Sequence, residues 1–326
     1  MRVIVVGAGA IGSLYGAKLA SLNQVTLIGR PDHVAAINSD GLRIEGLEPQ
    51  TVLIHAATHI DEIPAATLII LATKVPATVA ALEPIAPLVR DDTTILSLQN
   101  GLGTERIATA TLPGRGVVLR GITQFGAIFQ QPGAIKFMVS GHTLIEAHER
   151  SDAIAAVLNA AGLDCRISRD ITTDVWRKLV FNCVVNPITA MIGSEVGAIA
   201  DPQLDPLKQL VIDECVAVAR AEGVLLEGNF LNEINTVFVR SRNIASMQQD
   251  LLQGRATEID YLNGAVAGLG AEHKLACPVN SGLTSIIKAM EAQGRQSSQR
   301  KCSSRSRLSR DFASSLRAPP AKLSFS

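Results

Sequence analysis

The sequence predicts an α/β protein, with a doubly wound parallel sheet in its first half and a second, all-helical C-terminal domain. Three observations predict it. Short runs rich in β-branched residues alternate with helical stretches up to about residue 167, the pattern of successive β-α-β units. A glycine-rich turn, Gly7-Ala8-Gly9-Ala10-Ile11-Gly12, separates the first such run from the first helical stretch. After about Asp170 the strand pattern stops and helical periodicity takes over.

Residues 3–6 are a continuous apolar run, as expected of a strand covered on both faces. Residues 11–22 then read as a helix and 24–28 as a second strand. Short strands are expected at 52–56, 67–73 and 94–98, with a helical stretch over 79–88 that Pro84 interrupts. Further strands are expected at 116–121, 136–140 and 143–146. The helical half comprises 172–185, 205–222, 233–240, an irregular 241–254, then 258–269 and 279–293.

A length of 326 residues suggests two domains, at roughly 150 residues each. The boundaries fall at 1–167 for the sheet and 168–294 for the helices, leaving 295–326 as a Ser/Arg-rich tail. With ten serines in 32 residues and no apolar periodicity, that tail is expected to be disordered. Aromatic residues make up 3% of the chain, so the core must be built from Ala, Val, Ile and Leu.

The formal net charge of zero is a cancellation. The tail carries eight of the 30 basic residues and one of the 30 acidic ones, leaving 22 against 29 in the remainder. A neutral chain with an acidic body argues against nucleic-acid binding through bulk charge. Five widely spaced cysteines without a C-x-x-C pair exclude a disulfide framework, and the six histidines show no metal-ligand spacing, so no metal is expected. The apolar run after Arg2 is too short for a secretory signal, and no stretch reaches the roughly 18 apolar residues of a membrane span. A soluble, cytoplasmic protein without membrane partners is expected, with a homodimer left open.

The glycine turn has the spacing of a dinucleotide-binding fingerprint, which makes the expected first domain Rossmann-type. Gly7 permits the tight turn, Gly9 lets backbone amides approach a pyrophosphate, and Gly12 allows close helix–strand packing. With Ala8, Ala10 and Ile11 they form the expected phosphate cradle at a helix N-terminus. The second strand ends Thr26-Leu27-Ile28-Gly29-Arg30, without the carboxylate that NAD sites place on the ribose hydroxyl. A guanidinium there suits a 2′-phosphate, so NADP(H) is the expected cofactor. Lys74, past the end of another strand, adds a second cation near the cofactor or is a solvated loop lysine.

In the helical half, Lys178, Asn182 and Asn186 recur at i, i+4 and i+8, so they lie within about 80° of arc on one helix face. Asn is a poor helix former, and two of them in register with a Lys suggest a functional stripe. Pro187 removes the amide that would bond the Cys183 carbonyl, which predicts a kink near Asn186. A second polar group includes Ser246 and Glu258; Thr257 could cap a helix that Glu258 begins, or Glu258 could face the Lys178 stripe. Asn100, in Gln99-Asn100-Gly101, follows a strand end where its amide could reach a nicotinamide, although Asn-Gly also makes a plain turn.

Taken together these residues resemble the 2-dehydropantoate 2-reductase (ketopantoate reductase) family. The resemblance rests on the glycine fingerprint, Gln99-Asn100-Gly101, Trp176-Arg177-Lys178-Leu179 with Asn182-Cys183 and Asn186-Pro187, and Thr257-Glu258-Ile259-Asp260-Tyr261-Leu262-Asn263-Gly264, over residues 1–293. It implies NADPH-dependent reduction of 2-dehydropantoate to pantoate, towards pantothenate and coenzyme A. It also implies Lys178 as general acid and Glu258 as a partner of the emerging hydroxyl and of the cofactor. Asn182, Asn186, Ser246 and Asn100 would bind substrate, with Asn100 also near the nicotinamide, and Arg30 and Lys74 would serve the 2′-phosphate side. The chain departs from the family at Ala77, where many relatives place a Gln for the adenine, and at Val196, where some carry another Asn. Two other readings stay open at this point: a sister reductase of another 2-keto or 3-keto acid, and a non-catalytic NADPH sensor.

Overall fold

The computed structural model describes residues 1–112 and 114–294, so the expected disorder of 295–326 lies outside the described residues. The described residues of the first half form twelve strands: β1 (Arg2–Val6), β2 (Gln24–Ile28), β3 (Leu42–Gly46), β4 (Gln50–Val52), β5 (His55–Ala57), β6 (Thr67–Leu71), β7 (Thr94–Ser97), β8 (Val117–Thr123), β9 (Gly126–Gln131), β10 (Ala134–Val139), β11 (Thr143–Ile145) and β12 (Cys165–Ile167). Between them run α1 (Ala10–Ala20), α2 (Pro31–Asp40), α3 (Thr78–Leu82), α4 (Thr104–Thr111) and α5 (Ser151–Ala160). Among the described residues from Ile171 to Gly294 the regular elements are helical: α6 (Ile171–Ile192), α7 (Asp205–Ala221), α8 (Phe230–Phe238), α9 (Ser246–Leu252), α10 (Asn263–Glu272) and α11 (278–294).

An eight-stranded sheet has the order β12-β11-β8-β7-β6-β1-β2-β5. Strands β5 to β8 of that order are parallel, whereas β11 joins β8 antiparallel and β12 runs parallel to β11, so the sheet is mixed at one edge. β2 and β6 flank β1, which puts a topological switch point beside β1, and ligands of such sheets bind outside the carboxyl ends of the strands there. One aliphatic cluster, with Leu14, Leu19 and Leu27, packs with α1, α2 and α5; another, with Ile69, Leu82 and Ile95, packs with α3 and α4. A third cluster fills the helical half, and Leu102 reaches into it from the first half.

Three sequence expectations change. The single strand expected at 52–56 is two strands in different sheets, because β4, β3, β10 and β9 form a separate four-stranded sheet while β5 extends the main one. The strand expected at 136–140 is β10 of that smaller sheet, paired parallel with β3 and antiparallel with β9. The third concerns α6, which does not stop at Val185 but runs through Pro187 to Ile192. The Cys183 carbonyl orphaned by Pro187 is taken by the side-chain amide of Asn263 at 2.9 Å, and Thr189 Oγ1 donates to the Val185 carbonyl at 2.7 Å. One tertiary donor, Asn263, thus replaces the missing backbone one.

Candidate active site

The carboxyl edge of the main sheet carries the turns singled out in the sequence. After β1, Gly7 has φ +102°, and a Cβ there would lie 2.6 Å from the Thr73 amide nitrogen beyond β6. A Cβ on Gly12 would fall on the Gly7 carbonyl oxygen, so the helix packs onto the turn only because both are glycines. The space beside Gly9 is open, and no side chain caps the first-turn amides of α1. An uncapped, positive helix end beside open space fits the pyrophosphate of a dinucleotide.

Arg30 follows β2 at the start of α2, exposed, with its guanidinium 5.3 Å from the Phe129 ring of β9. Phe129 leans on the His33 ring at 4.9 Å. His33 is buried: its Nδ1 accepts from the Gly133 amide at 2.9 Å, which leaves Nε2 to donate to Ser13 Oγ at 3.1 Å. Burial holds the imidazole below the ordinary histidine range, as a fixed neutral tautomer requires.

Lys74, beyond β6, reaches across to the helical half, where its ammonium lies 2.8 Å from Asp250 and 3.5 Å from Glu258. Burial opposes its charge, but these two carboxylates outweigh the burial and raise its pKa above the usual lysine value. Asp250 is itself buried and also receives Arg255 at 3.0 Å. Glu258 is buried ahead of a 3₁₀ turn, Ile259–Tyr261, rather than opening a helix; α10 starts five residues later, at Asn263. Released from a helix start, its carboxylate accepts from the Val75 amide at 3.3 Å and from Asn100 Nδ2 at 3.4 Å.

Lys178 lies partly buried on α6 and donates to Asn100 Oδ1 and to the Thr123 carbonyl, both at 2.8 Å. An ammonium has three donors, so one N–H remains free of these two acceptors. Burial, with the positive charge of Arg120, pushes the Lys178 pKa down to about 8, against an opposing pull from Glu258. Asn100 therefore bridges Lys178 and Glu258, and the chain of contacts continues through Lys74 to Asp250 and Arg255. The backbones meet beside it: Gly101 has φ +94°, and the Leu102 amide donates to the Tyr261 carbonyl at 3.3 Å.

Asn182 and Asn186 follow Lys178 one and two turns along the same helix face, and their side-chain amides make no hydrogen bond among the described residues. Ser246 is exposed at the start of α9, which packs against α6. Two contributors received no role from the sequence. Gln99 is buried and ties the β7 end to Thr73 and Thr78, with its Nε2 2.9 Å from the Thr73 carbonyl and 2.7 Å from Thr78 Oγ1. Arg120 is buried inside β8, and a charged residue within the run Val118-Leu119-Arg120-Gly121-Ile122 was the available signal.

The family profile described as "Ketopantoate reductase PanE/ApbA" matches residues 3–150, and its C-terminal counterpart matches 170–291. The chain belongs to the ketopantoate reductase family. The 2-dehydropantoate 2-reductase of Pyrococcus horikoshii is 36% identical over 304 residues, covering 90% of this chain and 99% of that protein. Among solved structures, a PanE/ApbA family ketopantoate reductase from Ralstonia eutropha superposes with a TM-score of 0.83 at 29% identity, over 90% of this chain and all of the other. D-mandelate dehydrogenase with NADH and anilino(oxo)acetate gives 0.82 at 27% identity, over 90% and 99% of the two chains.

Membership in the ketopantoate reductase family makes the chain an oxidoreductase with a nicotinamide cofactor, and it sets aside the reading as a non-catalytic sensor. Within the family pattern, Val196 is buried at the start of a 3₁₀ turn, Val196–Ala200, and offers no side-chain hydrogen bond. Ala77 is exposed beyond Lys74. Among the described residues no helix is long and apolar enough to cross a membrane.

Proposed function

We propose that the protein reduces 2-dehydropantoate to pantoate with NADPH, and that Lys178 is the proton donor. A reduced nicotinamide bound along the carboxyl edge of the sheet would supply the hydride. The residues of the chain do the rest. The Gly7–Gly12 turn and the α1 amides receive the pyrophosphate, and Arg30 receives the 2′-phosphate. Asn100 and the Thr123 carbonyl hold two Lys178 N–H groups, which leaves the third to donate to the ketone oxygen. As negative charge develops on that oxygen, Lys178 stabilises it and then transfers its proton to it. Glu258, fixed by the Val75 amide and Asn100, accepts a hydrogen bond from the new hydroxyl, while Asn182, Asn186 and Ser246 bind the substrate's hydroxyl and carboxylate.

The observation that carries this reading is the Lys178 ammonium, depressed to about 8 and left with a single uncommitted N–H. Proton donors work best when their pKa lies near the working pH. A specific observation also favours a second substrate reading: Val196 removes an amide from the expected substrate contacts, and a close structural neighbour is D-mandelate dehydrogenase. The test is NADPH oxidation with 2-dehydropantoate beside a panel of other 2-keto acids, each repeated with NADH. The highest kcat/KM is expected for 2-dehydropantoate with NADPH. A higher value for an aryl keto acid would favour the second reading, and equal use of NADH would remove the role given to Arg30.

A further inference from the structure

Arg120 is a buried charge that the roles above do not use. It sits inside β8 with 5% of its surface exposed. Its Nη2 donates to the Gly101 carbonyl at 2.9 Å and its Nη1 bonds the Thr104 hydroxyl. Its Nε is buried with no partner among the described residues. The nearest carboxylate, Glu105 on α4, is 3.9 Å away. Burial opposes the guanidinium charge, and Glu105, Glu258 and Glu146 only partly offset it. A buried and incompletely paired cation is expensive, and such groups concentrate where chemistry needs them.

Arg120 is tied to both acceptors that orient Lys178. Gly101 immediately follows Asn100, whose Oδ1 receives one Lys178 N–H, so the bond from Arg120 pins that turn from behind. Thr123, whose carbonyl receives another, ends the strand in which Arg120 lies. We propose that Arg120 is a positioning residue that pins the Asn100–Gly101 turn and holds a fixed positive charge beside Lys178, so that Lys178 yields its proton readily near neutral pH. The proposal rests on the reading of Lys178 as proton donor. The charged groups bearing on Lys178 are Arg120 from β8 and Glu258 from the segment ahead of the 3₁₀ turn, with Lys74 and Asp250 next beyond Glu258. Burial is the first cause lowering Lys178, the charge of Arg120 is the second, and Glu258 opposes both.

The test is the pH profile of kcat/KM for NADPH-dependent reduction of 2-dehydropantoate, which reports the free enzyme. The donor is protonated below its pKa, so wild-type kcat/KM should be level at lower pH and fall above about 8. In Arg120→Met the basic limb should move up by about one unit, the scale of a nearby charge, and the plateau should fall because the donor is a weaker acid. Arg120→Lys, which keeps the charge, should return the limb toward its wild-type position. Glu105→Gln, outside the proposed machinery, should move the limb down by strengthening the uncompensated charge. A lower kcat/KM at every pH with an unmoved limb in Arg120→Met would make Arg120 a mere strut and overturn the proposal. If that variant does not fold, an unmoved or raised limb in Glu105→Gln overturns it instead. A Lys178→Ala protein that keeps full turnover and the wild-type limb would sink the proton-donor reading itself, a result distinct from either outcome at Arg120.

Discussion

Pro187 leaves the Cys183 carbonyl without the backbone amide that an uninterrupted helix supplies. Asn263, fully buried at the start of α10, donates to that carbonyl and to Asn280 Oδ1, both at 2.9 Å, while its own Oδ1 has no partner among the described residues. Asn263→Leu deletes both donors while keeping the number of side-chain heavy atoms; it strands the Cys183 carbonyl and leaves Asn280 Oδ1 only the weak Cys215 thiol donor at 3.9 Å. The stranded carbonyl costs about 1–3 kcal/mol and the weakened Asn280 contact up to about 1 kcal/mol more, so the substitution should destabilise by about 1–4 kcal/mol. That is a sizeable share of the 5–15 kcal/mol typical of a folded protein, and it should lower Tm by roughly 2–15 °C. Pro187→Ala supplies a backbone amide to the same carbonyl. Alone it should change little, but in the Asn263→Leu background it should recover about 1–3 kcal/mol, the share that belongs to Cys183. Scanning calorimetry on the wild type, the two single variants and the double variant measures that coupling. Strictly additive losses would show that Asn263 acts by packing alone, and the account of how α6 survives Pro187 would be wrong.

Lys178→Ala should lower kcat by about 10²–10⁴-fold, the usual loss for a positioned acid, with NADPH binding by fluorescence retained; turnover near wild type would remove Lys178 from the chemistry. Gly101→Ala forces a side chain onto φ +94°, with its Cβ 2.5 Å from the Tyr261 carbonyl oxygen. The turn must shift, and since a displacement near 1 Å can cost about 10²-fold, kcat/KM should fall by that order; unchanged steady-state kinetics would contradict the close approach. Phe129→Leu removes the ring against which Arg30 stacks, so KM for NADPH should rise about two- to fivefold, the worth of an exposed cation–π contact, with KM for NADH unmoved. An equal change for both cofactors would mean that the ring does not act through Arg30.

The elements that carry the site were legible because local rules dictate them. The glycine spacing after β1, the strand ends at Arg30, Lys74 and Asn100, and the i, i+4, i+8 stripe of Lys178, Asn182 and Asn186 each follow from backbone geometry over a few residues. The four-stranded sheet was not legible. β3 gains its partner β10 from about ninety residues further along the chain, a pairing that no local pattern encodes. Glu258 was read with a helix start as one alternative, because Thr257 has capping chemistry; in the structure Thr257 Oγ1 donates to Glu291 at 2.6 Å and accepts from the Ile259 amide at 3.2 Å.

The sequence by itself determined which strand ends carry the glycine turn and the polar residues of the candidate site and which helix face carries the lysine, since periodicity and turn stereochemistry act locally. Only the tertiary structure decided how those pieces titrate and persist. The pKa of Lys178 depends on burial and on Arg120, fifty-eight positions away in sequence, and α6 passes Pro187 because Asn263, eighty positions beyond Cys183, supplies the missing donor. Charge–charge coupling and hydrogen-bond satisfaction depend on distance in space, and no local pattern in the chain encodes that distance.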